Sequence, residues 1–173
     1  ALATLKSQVP RLSSMQDVGQ DLSMSAAYNL LKDRYNTVQS SGGLIGIPFP
    51  WQPLNDVTQG MQEGQYIVLF GRPKSMKSWV AAKIATHAYV RARRRVLYYT
   101  REMEPVEIAA RIACLICGVD YDLFEKGRLQ PDIAAHVFLT LEGLIDDERA
   151  AGAAGLHQPF LTIISDRSMG ADG

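Results

Sequence analysis

Apolar runs and helical patterns alternate along the chain from residue 46 onward. Three short, almost continuous apolar runs have the composition of strands covered on both faces, at residues 66–70, 96–100 and 159–165. The stretches between them carry apolar residues at helical spacing, which predicts helices over residues 78–92, 105–117 and 133–150. Because parallel strands need long crossover connections, the pattern predicts an α/β fold with a parallel sheet flanked by helices.

The chain before residue 42 has a different pattern, and we predict an N-terminal arm with a linker helix over residues 1–41 and a separate domain over residues 42–173. Ser25 is the predicted N-cap of this amphipathic helix. Its apolar face consists of Ala27, Leu30, Leu31, Tyr35 and Val38. Small residues at 40–43 break the helical pattern and form a hinge. The apolar face docks either on its own domain or on a neighbouring subunit, and the sequence leaves both open.

Composition narrows the class of protein but not its chemistry. The chain has 173 residues, 47% of them hydrophobic and 21% charged, which is ordinary for one globular core. Lys plus Arg and Asp plus Glu both total 18, so net charge does not indicate a nucleic-acid partner. There is no run of about 18 apolar residues and no signal-peptide pattern in residues 1–10, so we expect an intracellular protein without a membrane partner.

The strongest candidate for chemistry is the octapeptide at residues 71–78, Gly-Arg-Pro-Lys-Ser-Met-Lys-Ser. It lies between the first apolar run and the first predicted helix, where loop amides and a helix N-terminus bind phosphate. In the pattern G-x-x-x-x-G-K-[ST], the lysine reaches the β- and γ-phosphates and the hydroxyl ligates magnesium, roles that fit Lys77 and Ser78. The predicted nucleotide-binding residues are Gly71, Arg72, Lys74, Ser75, Met76, Lys77, Ser78 and Trp79. The alternative is an ordinary basic turn.

Met76 departs from this pattern because it replaces the glycine that lets the backbone approach the phosphates. Its amide can still donate to a phosphate if the side chain points away. Lys74 and Arg72 add positive charge near the same place. Met76 therefore argues against tight binding without excluding a phosphate site.

The cysteines and histidines suggest no metal or redox chemistry. Cys114 and Cys117 have the C-x-x-C spacing of redox or half-zinc sites, but they fall within a predicted helix without a second ligand pair. We predict buried core cysteines. His87, His136 and His157 are scattered, and no role is assigned to them.

Residues 42–129 resemble the RecA-like ATPase domain of DnaB-type replicative helicases, the hexameric helicases of bacteria and their phages. Four blocks carry the resemblance. They are the lead-in Gly46-Ile47-Pro48 with Leu54-Asn55, Thr58 and Gly60; Arg72-Pro73 within the octapeptide; Thr100-Arg101-Glu102-Met103, which is similar to the S-L-E-M segment; and Val119-Asp120 with Gly127-Arg128-Leu129. The amino-terminal helix looks like the linker helix of the family. Arg101 replaces an apolar residue common there and has no explanation.

The resemblance implies a RecA-like P-loop ATPase core with ATP and Mg²⁺ as cofactors. Lys77 and Glu102 would be catalytic, Glu102 by activating the attacking water, and Ser78 would ligate the metal. The alternative for Glu102 is a cap for the helix that begins near Pro105. The implied partners are further copies of the chain in a hexameric ring, single-stranded DNA, and a helicase loader or primase, in the cytoplasm of a bacterial or phage-infected cell.

The family's magnesium aspartate, DNA-binding loops and arginine finger lie beyond the matching residues, and we expect the intact protein to continue after Gly173. Asp166 follows an apolar run and could be taken for that aspartate, but its position resembles an earlier strand. The arginine-rich run at residues 91–95 could bind DNA. Its place at a helix C-terminus, at the sheet edge opposite the nucleotide, favours a solvated helix end or a subunit contact.

The sequence thus predicts an ATP-hydrolysing helicase subunit, or a fragment of one that is inactive alone. Two alternatives stay open. The first is a ring-forming or loader-binding module with a weak or inactive nucleotide site, which Met76 suggests. The second is a RecA-like ATPase for recombination or regulation.

Overall fold

A computed structural model describes residues 23–153 and 160–165, which fall into two compact units divided after Gly43. In the first unit, helix α1 spans Met24–Ser40. Its N-cap is Ser23, whose Oγ accepts a hydrogen bond from the Ala26 amide at 3.3 Å, so the prediction of Ser25 is wrong. The Ser25 hydroxyl instead lies 3.0 Å from that of Ser23. On the apolar face, Leu30 and Leu31 are both 59% exposed.

The second unit contains the sheet and the remaining helices. The helices are α2 Gln52–Thr58, α3 Lys77–Thr86, which continues into a π-helical turn at His87–Arg91, α4 Pro105–Cys117, α5 Tyr121–Glu125 and α6 Pro131–Ala153. The strands are β1 Val96–Thr100 and β2 Leu161–Ser165. They pair in parallel, with Val96 opposite Leu161 and Thr100 opposite Ser165. The predicted α/β plan with parallel pairing is therefore present.

The core forms where α3 and α4 cover the sheet. Ala82 of α3 and Ile108 of α4 are 0% and 1% exposed, and Tyr98 of β1 and Ile163 of β2 pack against them. The Tyr89 hydroxyl of the π-helical turn donates to Glu148 Oε1 of α6 at 2.7 Å. The packing of α3 and α4 on the sheet positions the start of α3 relative to the end of β1, where the candidate site lies.

The strand predicted at residues 66–70 is not part of the sheet, so that prediction is wrong. Tyr66 and Phe70 are 93% and 88% exposed, and within the described residues β1 pairs only with β2. Ile67 and Leu69 line a cavity of about 480 Å³ that residues of β1 also line. An apolar run predicts burial, but a strand also needs a backbone partner at hydrogen-bonding distance, and among the described residues the backbone of residues 66–70 has none.

The lead-in segment before residue 66 is a small structural unit. Ile47 and Met61 form an antiparallel bridge with N–H···O distances of 2.8 and 2.7 Å. A Cβ on Gly46 would lie 2.1 Å from the Met61 carbonyl oxygen, so only glycine fits there. Asn55 is 6% exposed, accepts from the Phe49 amide at 2.7 Å and donates to the Phe49 carbonyl at 3.0 Å. The residues that carry the resemblance here have structural roles.

Asn55→Ala is expected to lower the free energy of unfolding by about 2 to 4 kcal/mol, because it leaves the buried N–H and C=O of Phe49 without partners. Urea denaturation measures the change. Asp56→Ala on the same helix, which removes only an exposed contact with Gln52, is the control and should cost less than about 0.5 kcal/mol. Equal unfolding midpoints for the two variants would contradict this role for Asn55.

Candidate functional site

The octapeptide forms a tight loop that ends at the first residue of α3. Met76 is the N-cap of the helix, with φ 63° and ψ 18°, and Lys74 also has a positive φ of 63°. Two left-handed residues within three positions turn the chain sharply, so that loop amides and the free amides of the first turn of α3 lie close together. Such an arrangement binds anions, and the helix dipole adds to it.

Met76 adopts the backbone conformation for which the motif requires glycine. A left-handed conformation costs a residue with a Cβ about 1–2 kcal/mol, whereas glycine adopts it readily. The Met76 side chain is 63% exposed, so its bulk extends largely into solvent. The loop therefore keeps its shape at a cost in strain.

Lys77 reaches back across the loop to two carbonyl groups. Its Nζ donates to the carbonyl oxygens of Gly71 at 3.1 Å and Arg72 at 2.9 Å. An ammonium group has three donors, so one N–H is left for a phosphate oxygen. Gly71 allows this close packing, since a Cβ there would lie 2.6 Å from Ser75 Oγ.

Glu102 lies in the turn that follows β1. The Thr100 hydroxyl stabilises this turn, accepting from the Met103 amide and donating to the Met103 carbonyl, both at 3.2 Å. The N-cap of α4 is Glu104, whose amide donates to the Glu107 carboxylate at 3.2 Å. The alternative prediction that Glu102 caps α4 is therefore wrong, and the Glu102 side chain is exposed after the end of β1.

The loop and Glu102 meet at one cavity of about 550 Å³, within the size range of small-molecule sites. Of the predicted residues, those lining it are Lys74, Ser75, Met76, Lys77, Ser78, Trp79 and Glu102, together with Pro73. Gly71 and Arg72 do not line the cavity but contribute the carbonyls that hold Lys77. The structure thus brings most of the predicted phosphate-binding residues to one cavity with Glu102, to which the family resemblance assigns water activation.

Arg111 of α4 also lines this cavity, and sequence reasoning missed it. With Lys74 and Lys77 it gives the lining three cationic side chains against the single carboxylate of Glu102, a balance that favours an anionic ligand. The sequence shows only that Arg111 lies between apolar positions of a helix whose Ile108 and Ile112 are buried, which does not by itself place it at the cavity.

Cys114 is a buried core residue, as predicted, whereas Cys117 is only partly buried. Cys114 is 3% exposed and unpaired, and burial raises the pKa of its thiol to about 11. The Cys117 thiol pKa is also raised by burial. Within the described ranges, no three or more His, Cys, Asp or Glu side chains cluster as metal ligands would.

The arginine run beyond α3 makes contacts with its own domain. Arg93 forms an ion pair with Asp147 of α6 at 3.7 Å, and the Arg95 guanidinium lies 4.8 Å from the centre of the Phe160 ring. These contacts favour the helix-end interpretation over DNA binding. Asp166 and His157 lie outside the described residues.

Comparisons with known proteins agree on one family. The DnaB-like helicase C-terminal domain family matches residues 46–159. The replicative DNA helicase DnaB of Treponema pallidum is 28% identical over 106 residues, which are 59% of this chain and 24% of the relative. That of Geobacillus stearothermophilus is 24% identical over 116 residues, 62% of this chain and 26% of the relative.

A probable plasmid replicative DNA helicase of Chlamydia muridarum is 26% identical over 87 residues, 50% of this chain and 19% of the relative. The chain spans about a quarter of the length of the curated DnaB relatives it matches. No helix in the described part of the chain is both long and apolar enough to cross a membrane. Because the family match covers about two thirds of its residues, this chain belongs to the DnaB-like helicase C-terminal domain family.

Proposed function

We propose that this chain is the nucleotide-binding part of a RecA-like P-loop ATPase core in a replicative DNA helicase, and that ATP with Mg²⁺ binds in the cavity between the octapeptide and Glu102. The observation that carries the proposal is the convergence of three features at one cavity. They are the anion-binding loop, Lys77 with a free donor, and the Glu102 carboxylate.

The residues of the loop fit the triphosphate of a nucleotide. The loop amides and the first turn of α3 would hold the phosphate chain, and Lys77 would give its remaining N–H to a terminal phosphate oxygen. The hydroxyl of Ser78 is the group that would ligate Mg²⁺, which neutralises developing charge on the phosphates when bound.

Glu102 has the chemistry and the position of a general base. A carboxylate at the strand end can accept a proton from a water molecule and orient it for attack on the γ-phosphorus. The turn held by Thr100 fixes this carboxylate at the same cavity as Lys77. Hydrolysis would thus need both sides of the cavity, with Lys77 holding the phosphate and Glu102 holding the water.

The relatives are replicative DNA helicases, and we extend their role to this protein. We propose that it assembles as a hexameric ring, that ATP hydrolysis at subunit interfaces drives movement along single-stranded DNA, and that a loader or primase binds the ring in the bacterial or phage-infected cytoplasm. Residues 1–41 would form the arm and linker helix, and the core would begin at residue 42.

A second candidate, a ring or loader-binding module with an inactive nucleotide site, is favoured by one observation. Met76 holds a left-handed conformation that costs a side-chain-bearing residue stability. If this strain makes the loop leave its binding conformation, the apparent affinity for ATP falls in proportion to the remaining population.

Variants of Met76 test both candidates. We expect Met76→Gly to bind a fluorescent ATP analogue at least as tightly as the parent chain, because glycine adopts φ 63° without strain. Met76→Val should bind about tenfold or more weakly, because a β-branched residue is a genuine outlier in this conformation. The measurement is an equilibrium titration with and without Mg²⁺.

This titration distinguishes the two candidates. Magnesium-dependent binding by the parent supports an ATP site, and binding by Met76→Gly alone supports the inactive-site module. Binding by neither contradicts a nucleotide site in this cavity. Val80→Ala, one turn into α3 and outside the cavity lining, is the control and should match the parent.

A further inference from the structure

Arg111 is held beside the candidate nucleotide site by two aromatic rings. Its guanidinium carbon lies 4.9 Å from the centre of the Trp79 ring and 5.5 Å from that of Tyr121. The two rings meet edge to face at 5.1 Å. Arg111 belongs to α4, Trp79 to the first turn of α3 and Tyr121 to α5, so three elements fix the guanidinium.

The Nε atom of this guanidinium is buried without a hydrogen-bond partner, the sole such side-chain atom among the described residues. A buried N–H that makes no hydrogen bond costs stability, and native structures rarely contain one without a reason. The cation–π contacts explain how Arg111 is held in place and favour a charged side chain there. They do not give its Nε a hydrogen-bond partner.

The cavity supplies a reason, because Arg111 lines it together with Lys74, Lys77 and Glu102. Arginine presents a rigid, planar set of donors that matches phosphate oxygens and keeps its charge when half buried. The octapeptide and Lys77 approach the cavity from the start of α3, whereas Glu102 and Arg111 reach it from the β1–α4 segment. A phosphate chain held by the loop and extending toward Glu102 would bring its terminal group to Arg111.

We propose that Arg111 is a specificity-determining residue that binds the terminal phosphate of a nucleoside triphosphate and so distinguishes it from the diphosphate. This inference rests on the proposed function, because it requires nucleotide in the same cavity. The rings of Trp79 and Tyr121 position the guanidinium before the ligand arrives, so that little side-chain freedom is lost on binding.

Arg111→Met tests the inference, because methionine keeps an unbranched apolar stem against the rings but removes the charge and all donors. Its affinity for ATP should fall about tenfold or more, the usual effect of losing a hydrogen bond to a charged group, with ADP affected less than about threefold. Arg111→Lys keeps the charge but loses the planar, paired donors of the guanidinium, so its affinity for ATP should lie between those of the parent and Arg111→Met. Arg128→Met, exposed and away from the cavity, is the control. Competition titrations in Mg²⁺ give both affinities.

A purely structural role for Arg111 predicts different results in the same experiments. Arg111→Met also loses the contacts with the Trp79 and Tyr121 rings, which lowers its melting temperature in either role, so the ratio of the ATP and ADP affinities decides between the roles. Equal losses for ATP and ADP, or unchanged affinity for both, would overturn the inference while the proposed function stands. A parent chain that binds neither nucleotide would overturn both.

Discussion

Lys77→Ala is expected to weaken ATP binding by this chain about 100-fold or more and to abolish ATP turnover by the intact protein. The Lys77 ammonium is fixed over the loop by the Gly71 and Arg72 carbonyls, with one donor left for a phosphate. Its removal deletes both the charge that the motif assigns to the β- and γ-phosphates and the hydrogen bonds from Lys77 across the loop. Titration with a fluorescent ATP analogue measures the first effect and phosphate release the second.

Lys83→Ala is the matched control for Lys77→Ala. Lys83 is in the last turn of the same helix and does not line the cavity. The control should bind ATP as the parent chain does. Undiminished ATP binding and turnover by Lys77→Ala would contradict the assignment of the octapeptide as a phosphate-binding loop.

Glu102→Gln is expected to reduce ATP hydrolysis by the intact protein by about 10²- to 10⁴-fold, the usual contribution of a general base, while ATP binding is retained. Glutamine has nearly the shape of glutamate but cannot accept the proton of the attacking water. Binding should be equal or tighter, since the cavity loses its only carboxylate and becomes more favourable to an anion. Single-turnover hydrolysis and equilibrium binding separate the two effects.

Glu142→Gln, on the exposed surface of α6 and outside the cavity, is the control for removal of a carboxylate. It should hydrolyse ATP at the parent rate. If Glu102→Gln instead lost binding and hydrolysis in equal proportion, Glu102 would act in holding the loop or the nucleotide, and another group would activate the water.

The elements that could be read from sequence are those with local signals. The bounds of β1 and α4 were predicted correctly, β1 because its apolar run is continuous, and α4 because Pro105 begins it and Gly118, with φ 69°, ends it. The strand predicted at residues 66–70 failed because pairing depends on a distant backbone partner. The N-cap of α1 failed because Ser23 and Ser25 offer the same hydroxyl, and only the path of the chain distinguishes them.

The residues of the candidate site likewise divide into those with a local sequence signal and those placed by distant contacts. Lys77, Ser78 and Glu102 could be identified because a motif and a strand end mark them. Arg111 could not, because its position depends on contacts with Trp79, 32 residues earlier, and Tyr121 on a helix that was not predicted. In the sequence, Met76 departs from the glycine of the motif, yet the backbone at this position has the conformation that the motif requires.

The most direct test of the central claim is a crystal structure of this chain with Mg²⁺ and a non-hydrolysable ATP analogue. We expect the triphosphate in the cavity between the octapeptide and Glu102, with a terminal phosphate oxygen within hydrogen-bonding distance of Lys77 Nζ. Analogue bound outside this cavity, or none at concentrations that saturate a known ATPase, would contradict the account.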